Sequence, residues 1–278
     1  MDNTTLDYTT LKTGVVDPTL GKTIKEIIMV SNRFIVYMDE NQNIQFSFNG
    51  FDGSLDDFGK IQIQVSYWEN MCNELFSKKE AYKFKNLLAE GYARILHEGN
   101  NKSAQNIIDL TKKRIQTFGR EALRIDYSIS ALYSTILVII ALILLVLSKQ
   151  TILSFVGSDV YNIILTGMFG GVGAFVSAMI RMRNYRAELL HGKKIHKLDG
   201  RLRIIYGVIA GSLIAVGIKS NIILGVFNNE GANIFVMTFL GAMSGASEVF
   251  LPNIIKQVED QVSTKALDNK VVTHEGEN

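Results

Sequence analysis

The chain has 278 residues, of which 47% are hydrophobic and 20% charged, and it carries a net charge of +2. This composition excludes a disordered chain and is more apolar than that of an ordinary soluble enzyme. The nearly balanced charge gives no reason to expect a nucleic-acid partner. The single cysteine, Cys72, excludes an internal disulfide and argues against a zinc cluster, so we expect no metal and no cofactor.

Residues 1–23 are polar and are interrupted by Gly14, Pro18 and Gly21, which predicts a loosely ordered N-terminal lead. The triplet Gly21-Lys22-Thr23 resembles the end of a phosphate-binding loop. Six residues separate Gly14 from Gly21 where such a loop has four, and no strand is predicted before it. The triplet therefore does not predict a nucleotide site.

Residues 24–126 are predicted to form a cytosolic α+β domain with a helical stalk, since residues 1–126 carry 16 of the 29 basic and 17 of the 27 acidic residues. Two apolar, β-branched runs at 33–38 and 43–48 predict a hairpin with its turn at 39–42. Ile61, Ile63 and Val65 alternate with glutamines, which predicts a third strand.

Two amphipathic helices are predicted after the strands. The first has apolar residues at steps of three and four over 81–95. The second runs from Ser103 to Ser148 without proline and is 46 residues long, or about 69 Å. Such a helix would couple the cytosolic domain rigidly to the bilayer. The alternative is a plain stalk with no signalling role.

Four runs without charged residues predict four transmembrane helices: 127–148, 160–180, 204–218 and 231–247. The first run has 22 residues and spans roughly 33 Å, enough for a bilayer core of about 30 Å. The third has 15 residues, so it needs either to include Lys219 or to continue toward Phe227. The methylenes of Lys219 allow its ammonium to reach the interface. Buried helices of a large soluble core are the alternative interpretation.

The expected fold is an α-helical membrane protein with a four-helix transmembrane bundle over 127–255, an N-terminal cytosolic α+β domain and a cytosolic polar tail over 256–278. Nothing in the first 30 residues resembles a signal peptide. Eight basic residues between Arg181 and Arg203 face only Glu188 and Asp199. Basic loops stay in the cytoplasm, so both termini are predicted to be cytoplasmic. The basic loop also suits contact with anionic lipid headgroups.

The last three predicted spans carry pairs of glycines four residues apart. In lipid, such pairs let helix backbones approach closely, which predicts a tight bundle within one chain or a homo-oligomer between copies. A glycine-lined pore is the alternative. The pairs are Gly167 with Gly171, Gly207 with Gly211, and Gly241 with Gly245.

Glu248 is a carboxylate within the fourth predicted span. It costs about 2.5–3.5 kcal/mol on insertion scales unless it is paired or near water. Four arginines lie at a neighbouring predicted depth, and they predict an intramembrane ion pair that acts as a gate. The alternative is an ion pair that fixes helix register. The arginines are Arg181, Arg183, Arg201 and Arg203.

A glycine-rich pattern extends over 161–255 and comprises 170–173, Ser177, Arg181, Arg203, 207–211 and 245–248 with Pro252. It resembles a group of uncharacterised bacterial multi-pass inner-membrane proteins whose C-terminal helical unit ends in a Gly-x-Ser-Glu element. Ala246 and Val249 stand where that group usually has phenylalanine and arginine. The resemblance implies a bacterial inner-membrane module that is attached to varied cytosolic domains. Such an arrangement is similar to that of anti-phage defence effectors.

No nucleophile, base or carboxylate pair is placed for catalysis, so we expect no enzyme. We expect a sensor–effector in which the cytosolic domain receives a protein or ligand signal and the bundle alters membrane permeability. A transporter or channel subunit and a passive anchor for a cytosolic partner are the alternatives. The expected partners are the lipid bilayer, further copies of the chain and a cytosolic protein.

Overall fold

A computed structural model describes residues 6–50, 55–98, 101–182, 189, 192–220, 234–247, 250, 252–253 and 256. The chain forms two compact units. The first comprises residues 1–123 and 187–193, and the second comprises 124–186 and 194–278. The division falls close to the predicted end of the cytosolic domain at residue 126, and the first unit also takes in part of the basic segment.

The first unit contains an antiparallel sheet of three strands, β1 (Ile24–Val30), β2 (Phe34–Asp39) and β3 (Ile44–Phe48), in that spatial order. The strands β2 and β3 form the predicted hairpin, and its turn places Gln42 at φ +62°. All six residues of β2 are buried, as expected of the central strand.

The predicted third strand over 61–65 is wrong, because these residues belong to helix α1 (Leu55–Leu75). Ile61 and Val65 are both buried, whereas Ile63 between them is 73% exposed. A separation of four residues fits both an alternating strand and one face of a helix, and only the wider pattern distinguishes the two. Buried residues continue at helical spacing through Trp68, Cys72 and Leu75.

The first unit also contains the helix α2 (Lys78–Glu98) and the beginning of α3 (Asn101–Leu147). Both follow the predicted amphipathic segments. Ser77 caps α2, since its backbone N–H and its hydroxyl both donate to Glu80. These bonds hold the pKa of Glu80 below its ordinary value. The packed face of α2 includes Leu88, Tyr92 and Ile95.

The predicted loosely ordered lead is corrected by the structure, in which residues 6–23 are folded onto the sheet. Tyr8 is buried in a cluster with Ile24, Ile35 and Tyr37. Asp17 is fully buried and accepts hydrogen bonds from the hydroxyls of Tyr37 and Ser47. Polar composition predicted a loose segment, but its polar groups are satisfied by donors from the strands.

The second unit contains the rest of α3, the helix α4 (Lys149–Met182), all but the first two residues of α5 (Gly192–Lys219), and α6 (Ile234–Ala246). The φ of Gly157, +79°, breaks the regular geometry of α4 near its N-terminal end. The apolar helices covering 102–147, 149–182 and 192–219 are long and apolar enough to cross a membrane. The helix α6 has 13 residues, about 20 Å, which is shorter than a bilayer core.

The side-chain contacts within the second unit give the directions of its helices. Val138 of α3 faces Gly171 of α4, and Ala131 shares a cluster with Ala174, so these helices are antiparallel. The helix α5 is antiparallel to α4, as the next subsection shows. Exposed Ile, Leu and Val side chains cover the outer face of α3 between 129 and 147. This face is the one expected to contact lipid.

Candidate functional site

Gly170 lies where the backbones of the last three described helices meet. A β-carbon at Gly170 would collide with the carbonyl oxygen of Gly207 on α5 and would lie 3.0 Å from the Cα of Gly211. A β-carbon at Gly245 on α6 would collide in turn with the carbonyl oxygen of Gly170. The helices α4, α5 and α6 therefore meet backbone against backbone at one glycine, which the glycine spacing had not singled out.

The six predicted packing glycines all face a neighbouring helix. Gly167 faces Ser212 and Gly171 faces Val208, both on α5. The predicted glycines of α5 and α6 face α4, and we call this line of contacts the glycine seam. Gly207 faces Ala174 and Gly170, Gly211 faces Thr166 and Gly167, Gly241 faces Thr166, and Gly245 faces Gly170. As residue numbers rise along α4, the numbers of the facing residues fall along α5 and rise along α6. Hence α5 is antiparallel to α4, and α6 is parallel to it.

A cavity of about 670 Å³ lies at the end of this seam. Residues of α3, α5 and α6, together with Ser247 and Pro252, form its wall. Apolar groups make most of that wall, and polar side chains are concentrated near the beginning of α5. The lining residues are Tyr127, Asp199, Leu202, Arg203, Tyr206, Gly207, Ile209, Ala210, Ser244, Gly245, Ser247 and Pro252.

Arg203 is the charged residue placed deepest along α5 in this wall. Its Nη2 donates a hydrogen bond to the hydroxyl of Ser177 on α4, at 3.2 Å. Ser177 is buried, and the bond fixes one edge of the guanidinium against α4. The arginine predicted for an ion pair or gate thus lies beside the cavity at the α4–α5 interface.

The other residues predicted for the ion pair are placed differently. Arg181 and Arg201 are exposed and do not line the cavity. Glu248 and Arg183 lie outside the described residues, so the proposed pairing stays a prediction. Ser244 and Ser247, which precede Glu248, both line the cavity.

Ion pairs link helices near both ends of the second unit. Lys197 Nζ lies 3.3 Å from Oδ1 of Asp126, which joins α5 to α3. Lys219 Nζ lies 2.8 Å from Oδ1 of Asp159, which joins α5 to α4. Lys219, expected to reach the membrane interface, ends in this pair. One member of each pair is exposed and the other is partly exposed, so each pair contributes about 0–1 kcal/mol to stability.

The first unit holds a buried charged pair that the sequence interpretation missed. Lys85 of α2 is 2% exposed, and its Nζ lies 3.3 Å from Oε1 of Glu69 on α1. The ammonium also donates to the carbonyl of Gln42 and to Oδ1 of Asn43, while Glu69 accepts from the N–H of Ile44. The sequence feature that could have predicted this pair is the position of Lys85 among the apolar residues on one face of α2. These bonds hold the β2–β3 turn, which indicates a structural role.

Cys72 lies near the same pair. It is fully buried, and desolvation raises the pKa of its thiol to about 12. A buried neutral thiol is a poor nucleophile and a poor metal ligand. Within the described residues, no group of three or more His, Cys, Asp or Glu side chains is placed to hold a metal ion.

The segment between α4 and α5 contributes one described contact to the first unit. Leu189 packs where α1 and α3 meet, because a β-carbon at Gly119 would lie 2.9 Å from side-chain carbons of both Leu189 and Leu75. Lys193 is close enough to Glu80 to lower the pKa of that carboxyl further.

No protein-family profile, curated protein or solved structure matches this chain.

Proposed function

We propose that this chain is a membrane-anchored sensor–effector of a bacterial inner membrane. Its cytosolic α+β unit controls a glycine-packed bundle that crosses the bilayer four times, and the bundle alters membrane permeability. Both termini lie in the cytoplasm in this proposal, because the basic segment between α4 and α5 favours the cytoplasmic side. The fourth crossing uses α6 together with the residues that follow it.

The observation that carries the proposal is the continuity of α3. This helix has 47 residues, about 70 Å, with its residues up to 123 assigned to the first unit and those from 124 to the second. It contains no proline, so every turn can keep its hydrogen bonds. A helix of this kind transmits a displacement along its axis, which suits a device that senses on one side and acts on the other.

The connection between α4 and α5 is a second covalent link between the two units, and it supports the same proposal. Leu189 belongs to the first unit and precedes α5 by only three residues. Its side chain lies beside Gly119 of α3, which ties the first unit to the connection between α4 and α5. A ligand or protein that shifts α1 against α3 at this contact would pull on the beginning of α5. The cavity wall at Asp199 and Arg203 is about two to three turns farther along that helix.

The glycine seam supplies the part that would respond. Helices in lipid associate by close packing without the water exclusion that drives soluble cores. Backbone contacts at Gly170 bring α4, α5 and α6 close together. Small shifts of α5 would change the cavity beside the seam. A defence role against phage and self-association remain parts of this proposal that rest on the resemblance and on the glycine pattern.

The test interrupts α3 near the division between the units. Ile125 is 57% exposed, so replacing its side chain alters little packing. Proline there removes one helical hydrogen bond and breaks the helix at a cost of about 3 kcal/mol. Ile125→Ala is the matched control. The full chain and both variants are expressed from an inducible promoter in bacteria, and a membrane-potential dye is followed after induction.

A sensor–effector predicts that Ile125→Pro changes depolarisation relative to the full chain, in either direction, while Ile125→Ala does not. A transporter or channel predicts the same solute-dependent flux in all three. A passive anchor predicts no dye response in any of them. Membrane fractionation of each variant verifies that all three insert in equal amounts, so that a silent variant cannot be mistaken for an absent one.

A further inference from the structure

Two charged residues of α5 lie on the same face of that helix, in the cavity wall. Asp199 and Arg203 both line the cavity and are four residues apart. Residues at this spacing lie on one face of a helix, here about 6 Å apart along its axis. The wall thus presents a carboxylate near the beginning of α5 and a guanidinium one turn farther along.

The rest of the wall suits a hydrocarbon chain. Tyr206 and Ile209 line the cavity and are 64% and 49% exposed. The cavity is therefore continuous with the outer surface of α5, where Leu213 on the next turn is also exposed. In a bundle embedded in a bilayer, this surface contacts lipid acyl chains. An amphipathic lipid, with its chains along α5, fits such a cavity better than a water-soluble ligand does.

The relative depth of Asp199 and Arg203 in the bilayer favours one class of lipid headgroup. The predicted orientation places the beginning of α5 at the cytoplasmic interface, so Arg203 lies deeper than Asp199. In a glycerophospholipid the phosphate also lies deeper than the terminal group of the head. A guanidinium forms bidentate hydrogen bonds with phosphate, and a carboxylate accepts strong hydrogen bonds from an ammonium. Asp199 would repel a head that carries only negative charge.

We propose that the cavity binds a phospholipid whose head carries a phosphate and a primary ammonium, of the phosphatidylethanolamine type. Arg203, oriented by its bond to Ser177, binds the phosphate, and Asp199 binds the ammonium. The inference goes beyond the proposed function: it requires that the second unit is embedded in lipid, and it holds whether or not the bundle alters permeability.

The experiment measures lipid selectivity directly. The full chain is purified in detergent and stripped of lipid. It then receives an equimolar mixture of phosphatidylethanolamine, phosphatidylcholine and phosphatidylglycerol with identical acyl chains. Native mass spectrometry measures how much of each lipid stays bound. We expect about a tenfold preference for phosphatidylethanolamine, the ratio that one charge-assisted hydrogen bond provides. The trimethylammonium of phosphatidylcholine has no N–H to donate.

Two charge variants separate the roles of the residues. Asp199→Asn should abolish the preference among the three lipids, and Glu121→Gln, an exposed acidic change outside the cavity, should leave it intact. Arg203→Gln should weaken retention of all three lipids about tenfold. Arg201→Gln is its control, because Arg201 lies on the same helix, is exposed and does not line the cavity.

A third variant fills the cavity without changing any charge. Ala210→Phe adds a ring at a lining position and should reduce lipid retention, whereas Leu213→Phe, at an exposed position outside the lining, should not. This pair decides the question if Arg203→Gln does not fold. Equal retention of the three lipids by the full chain, a preference for phosphatidylglycerol, or unchanged binding in Ala210→Phe would each overturn the proposal. The dye assay with Ile125→Pro is a separate measurement, so either proposal can fail alone.

Discussion

The Nζ of Lys85 lies 3.3 Å from Oε1 of Glu69, and the lysine is buried beneath the turn that joins β2 to β3. The ammonium also donates to Gln42 and Asn43 of that turn. Removing one member of a buried pair leaves the other charge without compensation, at a cost of about 3–5 kcal/mol. The pair therefore stabilises the hairpin only as long as both members are present.

Lys85→Met is expected to lower the free energy of unfolding of the first unit by about 3–5 kcal/mol. Trp68 is the only tryptophan of the chain and is buried on α1, so its fluorescence reports unfolding of this unit in a urea titration of the full chain in detergent. Lys83→Met, at an exposed position of α2, is the control. Equal losses in the two variants would contradict a special role for the buried pair.

Glu69 is expected to make the free energy of unfolding of the first unit depend on pH. Desolvation raises its pKa above the ordinary value, against the lowering effects of the Ile44 N–H and of Lys85. The folded state therefore holds a proton on Glu69 more readily than the unfolded chain does. The stabilisation that results is complete below the pKa of the unfolded chain and is lost as the pH rises through the pKa of the folded state.

The free energy of unfolding of the full chain should consequently rise relative to that of Glu69→Gln as the pH falls from 7 toward the ordinary carboxyl value. Comparing the two proteins cancels the titration of the groups that do not interact with Glu69. Glu74→Gln, an exposed change on the same helix, is the control for the glutamate-to-glutamine exchange itself. A Glu69→Gln difference that is constant over the same range would refute the prediction.

Local pattern was sufficient for the hairpin and for the long helices, because their periodicity extends over many residues. It failed over 61–65, where five residues fit two periods and the neighbouring buried positions, Phe58 and Trp68, were needed to choose. The packing of residues 6–23 against the sheet was not predictable from local pattern, because the hydrogen-bond donors to Asp17 are Tyr37 on β2 and Ser47 on β3. Pairs of glycines four apart mark faces that approach a neighbour, but the role of Gly170 is visible only once three helices converge on it.

The carboxylate of Asp17 attaches the N-terminal segment to the sheet. Its Oδ2 accepts hydrogen bonds from the hydroxyls of Tyr37 and Ser47, at 2.9 and 3.0 Å, and its Oδ1 accepts from the N–H of Thr19. Desolvation, and then the hydrogen bond to Asp17, raise the pKa of Tyr37 above its ordinary value. The phenol therefore stays protonated and remains a donor over the whole physiological range.

Tyr37→Phe should lower the free energy of unfolding by about 1–3 kcal/mol, because it removes one donor from a buried carboxylate and keeps the ring. Limited proteolysis should then cut first within residues 6–23. Tyr67→Phe, at an exposed tyrosine, is the matched control and should change neither property. Cleavage patterns that are identical in the two variants would rule out this attachment.

Cys72 should react very slowly with alkylating reagents while the first unit is folded. Its pKa of about 12 leaves only about one part in ten thousand as thiolate at pH 8, and its side chain is fully buried. The chain has one cysteine, so a single mass increment reports the reaction. Urea should restore fast labelling. A cysteine introduced at the exposed neighbour Asn73, in a Cys72→Ala background, should react quickly in native conditions, and equal rates at the two positions would contradict the burial.

Adjacent glycines of α4 should respond differently to the same added methyl group. At Gly170 the new carbon would meet the backbone of Gly207 and Gly211, which cannot move without separating the helices. At Gly171 it would meet the side chains of Val208, at 2.8 Å, and Val138, at 3.3 Å, which can adjust. Gly170→Ala should therefore destabilise the second unit by about 1–3 kcal/mol and Gly171→Ala by less.

The measurement is the temperature at which half of the purified protein aggregates in detergent, compared between the two variants and the unmodified chain. Gly59→Ala on α1, where a β-carbon meets no atom within 4 Å, gives the opposite sign, because alanine is favoured over glycine in an open helix position by about 1 kcal/mol. If Gly170→Ala were as stable as Gly171→Ala, backbone contact at Gly170 could not be what holds α4, α5 and α6 together.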